Sequence, residues 1–399
     1  MQVVIIANHF PPQNTSAAVQ LSHLAKEFAS RKIKTLVIAP TRIRTKTYAE
    51  NYNNLKIIRI PKITVQKNYF LRTLSEIIDP LIIFSYFLRK PLRDEEVNIL
   101  VWYSPTIFNG ILVFLLKIFK KFHAYLILRD IFPEWAVDLG LMKKFVTYYF
   151  FKFFANLQYF TADTIGVQTE SNLKYVYKWA KKSRKIEVLE NWQSEQLNPK
   201  PCSLKINKTN LKGRKIFCYI GNMGIAQSMD FLINLAYEMK GRDDIGFLFV
   251  GRGSEWDRLL NTSLKLELNN TLVYPELPSE EITDLLRQCN FGLIALDPRH
   301  MSHNIPGKFL TYLLAGLPIL ARINPGTDLE KIIVKNKLGF CYSGEEILEF
   351  KNLANQLTNL SEKELTGIEK RSKKLALTKY SPSNAVNKIL SSLRNNVKV

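Results

Sequence analysis

The stretch KIFCYIGNMGIAQSMDFLINLAYEMKGRDDIGFLFVGRG, residues 215–253, decides the fold class. An apolar run ends at Gly221, a turn with a second glycine follows, and from Met229 the apolar residues recur at helical spacing. A second apolar run, IGFLFV, ends at Gly251, Arg252 and Gly253. This is a strand, a glycine turn, a helix and another strand, the repeating unit of a parallel sheet with crossover helices.

The pattern extends in both directions. Downstream, EWDRLLNTSLKLEL, NTLVYPE, SEEITDLLRQC and FGLIALD lead to PGKFLTYLLAGLPILA at 306–321. Upstream, QVVIIAN, AAVQLSHLAKEFASRK, KTLVIAP, LKIIRIP, NILVWYS, AYLILRD, TIGVQT and KIEVLEN repeat the alternation. Between the halves lies a polar, proline-containing interval at 191–213. The expected organisation is α/β, with two Rossmann-like, doubly wound domains: 1–192, a linker at 193–213, and 214–375. A final helix at 376–399, capped by Ser381 or Ser383, is expected to pack back on the first domain.

The 399 residues suit two domains, and 46% hydrophobic against 23% charged residues marks a globular chain. Four scattered cysteines without C-x-x-C spacing argue against a disulfide framework or a cysteine zinc site, and fit a reducing cytoplasm. MQVVIIANHF reads as a buried first strand rather than a signal peptide. The greasiest region, 107–128, is interrupted by Lys117, Lys120 and Lys121 and is expected not to span a bilayer.

Net charge is +21, of which +14 falls in residues 1–194, with 28 basic against 14 acidic residues. Basic and aromatic residues interleave at 69–93 and 142–160, a composition that suits an anionic membrane surface and also suits core helices with solvated faces. No helix-turn-helix, zinc-finger or RNP pattern accompanies the charge, so nucleic acid is not expected as a partner.

Four motifs carry candidate chemistry. Gly221, Asn222 and Gly224 follow a strand and precede a helix, where free N–H groups and the helix dipole favour a phosphate; an ordinary strand-end turn has the same residues. The spacing is not G-x-G-x-x-G. Arg252, between Gly251 and Gly253, is expected at the same carboxyl edge. Gly307 and Lys308 open a helix that Gly316 and Pro318 end, with Thr311 on the same face as Lys308. A cation at a helix amino terminus is unfavourable without an anion in front of it, so this turn is expected to face a phosphate. Ser302 stands where a P-loop needs glycine. Asp130 and Glu134 follow a first-domain strand, where a carboxylate can orient a sugar hydroxyl, act as a base, or merely cap a helix. His300 and His303 have no third ligand in view, and no D-x-D clamp exists, so no metal is expected.

NHFPP, RDIFPEWAVDLG, VLENW, YIGNMGIAQ and PGKFLTYLLAGLPILA, in this order, resemble bacterial family 4 glycosyltransferases of the GT-B fold. The chain is most similar to the L-fucosamine and other amino-sugar transferases of surface-polysaccharide assembly. The resemblance implies two Rossmann-like domains facing each other across a cleft, and retaining, metal-independent transfer with no cofactor. The implied donor is a nucleotide-sugar, UDP-activated, bound by Gly221, Asn222, Gly224, Arg252, Arg299, His303, Gly307, Lys308 and Thr311. Asp130, Glu134 and Lys308 become the catalytic candidates, and Pro12, Thr15 and Ser16 the acceptor loop. The implied acceptor is a polyprenyl-diphosphate-linked saccharide of O-antigen or capsule, met at the inner face of the cytoplasmic membrane. The sequence departs from the family in having Asn222 and Gln227 in place of a basic pair, His303 and Thr311 in place of two glutamates, and Ser16 and Ala17 in place of two glycines. A sugar-nucleotide epimerase of the same architecture, or a non-catalytic assembly partner, are the rival expectations.

Overall fold

In the computed structural model the described residues are 1–13, 15–41, 47–52, 54–62, 68–104, 106–196, 198–297 and 304–394. They form two compact units, 1–192 together with 381–399, and 193–380.

Unit 1 begins with β1 (Gln2–Ile6), α1 (Ser16–Ser30), β2 (Lys34–Thr41), β3 (Tyr48–Tyr52) and β4 (Leu55–Pro61). It continues through α2 (Tyr69–Phe87), β5 (Ile99–Tyr103), α3 (Asn109–Phe119), β6 (His123–Leu128), α4 (Glu134–Asp138) and α5 (Val146–Thr161). The strands β7 (Thr164–Val167) and β8 (Lys185–Val188), with α6 (Leu173–Val176) between them, complete the sheet. Its order is β3-β4-β2-β1-β5-β6-β7-β8, parallel except for edge strand β3. Strands such as β1, β5 and β6 are buried along their whole length, because helices cover both faces.

Unit 2 carries β9 (Lys215–Asn222), α7 (Met229–Glu238), β10 (Ile245–Arg252), α8 (Trp256–Lys265), β11 (Thr271–Pro275) and α9 (Ile282–Leu286). There follow β12 (Phe291–Ala295), α10 (Gly307–Ala315), β13 (Ile319–Arg322), α11 (Asp328–Lys335) and β14 (Gly339–Tyr342). Two helices, α12 (Ile347–Thr358) and α13 (Glu362–Thr378), end the unit, and α14 (Pro382–Arg394) belongs to unit 1, where it packs on α1. The sheet is all parallel, in the order β11-β10-β9-β12-β13-β14.

Two differences from the sequence reading have clear physical causes. The interval 193–213 is not a free linker: Cys202, Leu204, Ile206 and Leu211 sink into the core of unit 2, and Asp284 accepts the Cys202 N–H at 2.8 Å. Sparse apolar residues suffice there because these four are buried. The helix expected at 376–399 breaks at the boundary, so that α13 stays with unit 2 while Ser381 caps α14, accepting the Asn384 N–H at 3.2 Å.

Among the described residues no helix is long and apolar enough to cross a membrane.

Candidate functional site

In a doubly wound sheet the chain leaves a crevice where neighbouring strands send their connections in opposite directions, at the carboxyl ends of those strands. In unit 2 that point lies between β9 and β12. These strands pair only through Phe217 with Phe291 and Cys218 with Gly292, then separate. The gap they leave is occupied by the Tyr312 hydroxyl from α10, which accepts the Ile220 N–H at 3.1 Å and lies 3.0 and 3.2 Å from the carbonyl oxygens of Cys218 and Leu293. A Cβ at residue 292 would fall 2.5 Å from the Tyr312 ring, which explains Gly292.

One helical turn before Tyr312 stands Lys308. The helix is built as its sequence implied, with Pro306 as N-cap residue and Gly316 ending it in the left-handed region at φ +74°. The N-cap supplies no side-chain hydrogen bond and the first turn has no acidic residue. Lys308 is half-buried, with its ammonium 4.5 Å from the centre of the Tyr219 ring, and among the described residues it makes no ion pair. Burial alone pushes its pKa down to about 8. The Tyr219 hydroxyl in turn donates to the Asn222 carbonyl at 2.6 Å, so the lysine and the first glycine turn are joined through one tyrosine.

That turn has one open position. Gly221 has φ +122°, and a Cβ there would meet nothing within 4 Å. Asn222 and the Gly224 N–H both donate to the Gln227 side-chain oxygen, at 3.2 and 3.0 Å, closing the loop on itself with neutral groups. A short 3-10 turn intervenes before α7, which starts at Met229. The glycines of the second turn have another use from the one expected. A Cβ at Gly251 would lie 1.9 Å from the Gly221 carbonyl oxygen, and one at Gly253 2.2 Å from that of Met223. They let the two turns touch each other rather than a ligand.

The remaining expected donor residues are placed as follows. Gly307 is exposed at the start of α10, and Thr311 donates to Gln193 at 3.2 Å. Arg252 is exposed and ion-paired with Glu276 beyond β11, at 3.1 Å, on the side of β10 away from β12. Arg299 and His303, like His300, lie outside the described residues.

Sequence reasoning missed Tyr219 and the residue that ties the end of β12 to the turn after β9. Asp297, directly after β12, is buried; its N–H donates to the Ala226 carbonyl at 2.9 Å, and its own carbonyl accepts from Asn324. The signal was present, since FGLIALD ends in an acid at a strand's carboxyl end. Arg322 beside it is buried, its pKa held down by burial and partly restored by Asp297.

In unit 1 the expected residues are mostly engaged in structure. Glu134 forms an ion pair with Lys152 of α5. Asp130 follows Arg129, whose buried guanidinium donates to the Leu189 and Glu190 carbonyls and stacks 4.9 Å from Trp192. Thr15 caps α1, accepting the Ala18 N–H at 3.2 Å, and Ser16 and Pro12 are exposed beside it. At the switch point of this sheet Asn109 donates to Asn8 at 2.9 Å, and Asn8 to Thr106 at 2.7 Å. Among the described residues no three His, Cys, Asp or Glu side chains form a cluster able to hold a metal ion.

Comparison with solved structures matches both units together. Sucrose-phosphate synthase from Thermosynechococcus elongatus superposes over 98% of each chain with a TM-score of 0.76 at 11% identity. The glycosyltransferase WaaG gives 0.68 at 12% over 97% of this chain and 98% of its own. A trehalose-6-phosphate protein structure from E. coli bound with UDP-2-fluoro glucose gives 0.70 at 12% over the whole of both chains. The fold is GT-B. In sequence, the probable glycosyltransferase WbjE of Pseudomonas aeruginosa is 24% identical over 258 residues, which span 64% of this chain and 64% of that relative. No family model matches.

Proposed function

We propose that the protein is a glycosyltransferase that binds a nucleotide-sugar diphosphate at the β9/β12 switch point of unit 2. The observation that carries this reading is Lys308: a cation at an uncapped helix start, lowered in pKa by burial, lacking a counter-ion among the described residues, and adjacent to the open Gly221 turn. A half-buried charge without a partner is costly, and a diphosphate supplies the partner. The likeness to WbjE and to proteins of the GT-B fold agrees with it.

In the proposed reaction the bond between the sugar's anomeric carbon and the diphosphate breaks, and an acceptor hydroxyl forms its bond on the same face, with retention. The acceptor's proton leaves with the diphosphate. Charge grows on the leaving oxygen in the transition state, so a pre-placed ammonium and the main-chain N–H groups of α10 stabilise it more than they stabilise the bound donor. No divalent metal is invoked, since Lys308 and helix amides perform the neutralisation. A UDP-activated amino or deoxy sugar is the donor of this reading, and a polyprenyl-diphosphate-linked saccharide of O-antigen or capsule its acceptor, met at the membrane surface. Asp130, at the carboxyl end of β6, orients a sugar hydroxyl.

The test is a panel of sugar nucleotides with slow nucleotide release as the readout, followed by calorimetry of UDP with wild type and Lys308→Ala. One nucleotide-sugar is expected to be hydrolysed slowly, and UDP affinity to fall in the variant. Release from none of them, with UDP affinity unchanged in the variant, overturns the proposal.

A further inference from the structure

Helix α5 is apolar on both of its sides. Its inner side, with Ala155, Gln158 and Tyr159, is buried, and Phe151 and Phe154 pack on Phe108, the residue just before α3. Its outer side carries Val146, Tyr149, Phe150, Phe153 and Phe160, all exposed, Phe153 by 63% and Val146 by 80%. The spacing, with steps of three, four and seven residues, is one continuous stripe along the helix. A helix with apolar residues on two opposite sides is normally covered on both, and a soluble surface rarely presents so long an aromatic row.

The neighbouring elements of the same helix layer share this character. Ile118 and Phe119, at the end of α3, are exposed by 63% and 66%, and Phe119 meets Phe84 of α2 at 5.8 Å between ring centres. Of the 25 large hydrophobic residues exposed among the described residues, 15 lie between residues 70 and 160. The loop entering α5 adds charge to the apolar face. Lys143 and Lys144 immediately precede Phe145, exposed by 70%, and neither lysine forms an ion pair among the described residues. The helix start has no side-chain cap and no acidic residue in its first turn. Cations and free N–H groups therefore gather beside an apolar row, the arrangement that lipid phosphates and acyl chains complement together.

We propose that α5, with its entry loop and the end of α3, is a monotopic docking face for an anionic phospholipid bilayer. The helix lies along the headgroup boundary, its aromatic row enters the outer acyl region, and Lys143 and Lys144 sit on lipid phosphates. This names the partner surface of the lipid-linked acceptor in the preceding reading, and its test does not require sugar transfer.

The experiment uses the full chain with vesicles of phosphatidylcholine alone or with 30% phosphatidylglycerol, chosen as about the anionic content at which a surface potential attracts basic groups. A single cysteine carrying an environment-sensitive fluorophore is placed at 153, or at the exposed Leu264 of unit 2 as a control. Wild type is expected to float with the anionic vesicles, and the label at 153, not that at 264, to brighten and be quenched by brominated lipid. The Tyr149→Ser, Phe150→Ser, Phe153→Ser triple variant, substituted only at exposed positions, should lower partitioning at least tenfold. Lys143→Glu with Lys144→Glu should abolish the preference for anionic vesicles. An unchanged circular-dichroism spectrum and thermal midpoint in both variants show that they fold. Absence of flotation, a label at 153 that stays in water, or a dimer in solution that already buries residue 153 would each overturn the proposal. Flotation without any UDP binding would leave this docking face standing and remove the glycosyltransferase reading.

Discussion

The carboxyl edges of the two sheets look alike in sequence and differ in what their charged groups already hold. In unit 1, Glu134 has Lys152, Arg129 has two backbone carbonyls and Trp192, and Asn8 is enclosed by Asn109 and Thr106. In unit 2, Lys308 has, among the described residues, only the face of Tyr219. Motifs of similar quality at two strand ends thus divide into groups satisfied by the protein and a group for which the described residues supply no counter-charge. An unpaired, half-buried charge is the stronger indicator of a site because folding gains nothing from it.

The contact between the two turns of unit 2 gives the largest expected effect. Gly251→Ala sets a Cβ against the Gly221 carbonyl, and should cost about 3 kcal/mol of stability by forced backbone displacement; a denaturation midpoint like that of wild type would show that the turns are not held together. Next comes Lys308→Ala, which removes a charged partner worth about 2 kcal/mol, so calorimetry should find UDP bound roughly 30-fold more weakly. If the fall is no larger than twofold, the contrast between the two edges is lost.

Glu134→Gln tests the other edge. As one half of a partly buried ion pair, it should lose about 1–2 kcal/mol of stability while turnover falls by less than about tenfold. A general base would behave in the opposite way, with turnover down by about 100-fold or more in a stable protein.

The Lys308 pKa adds a pH test. With a value of about 8 in the free protein, the lysine is charged below that pH. Anion binding draws the pKa upward, so UDP affinity should be flat between pH 6.5 and 7.5 and weaker by about tenfold at pH 9, one unit above the midpoint. For folding the sign is opposite. The unfolded lysine binds its proton more tightly, so between pH 8 and the ordinary value of 10.5 stability without ligand rises with pH. Affinity independent of pH across this window would take Lys308 out of the site. The smallest effect belongs to Arg252→Ala, whose exposed pair with Glu276 is worth about 0.5 kcal/mol. If that variant weakens UDP binding as strongly as Lys308→Ala, Arg252 leaves Glu276 for the ligand and the site extends to β10.

Much of this architecture could be read from local pattern. The alternation at 215–253 gave β9, α7 and β10, and the Pro306 to Gly316 punctuation gave α10, because strand burial, helix periodicity and glycine caps act over a few residues. The interval 193–213 was harder, since four buried residues among polar ones have no period. Tyr219 was invisible as a site residue because a tyrosine inside a strand resembles core, and only the approach of α10 turns its ring toward an ammonium.

By itself the sequence determined two doubly wound units, their strands apart from the edge strands β3 and β14, and the glycine turns at the strand ends, because hydrophobic period and turn chemistry are properties of short segments. The tertiary structure alone decided which of the expected groups are spent on folding. Whether Glu134 meets Lys152, whether Gly251 faces a ligand or Gly221, and whether Lys308 is left without a carboxylate depend on residues 18, 30 or 89 positions apart along the chain, brought together only by the packed sheet. Electrostatic satisfaction is a property of neighbours in space, and no local pattern encodes it.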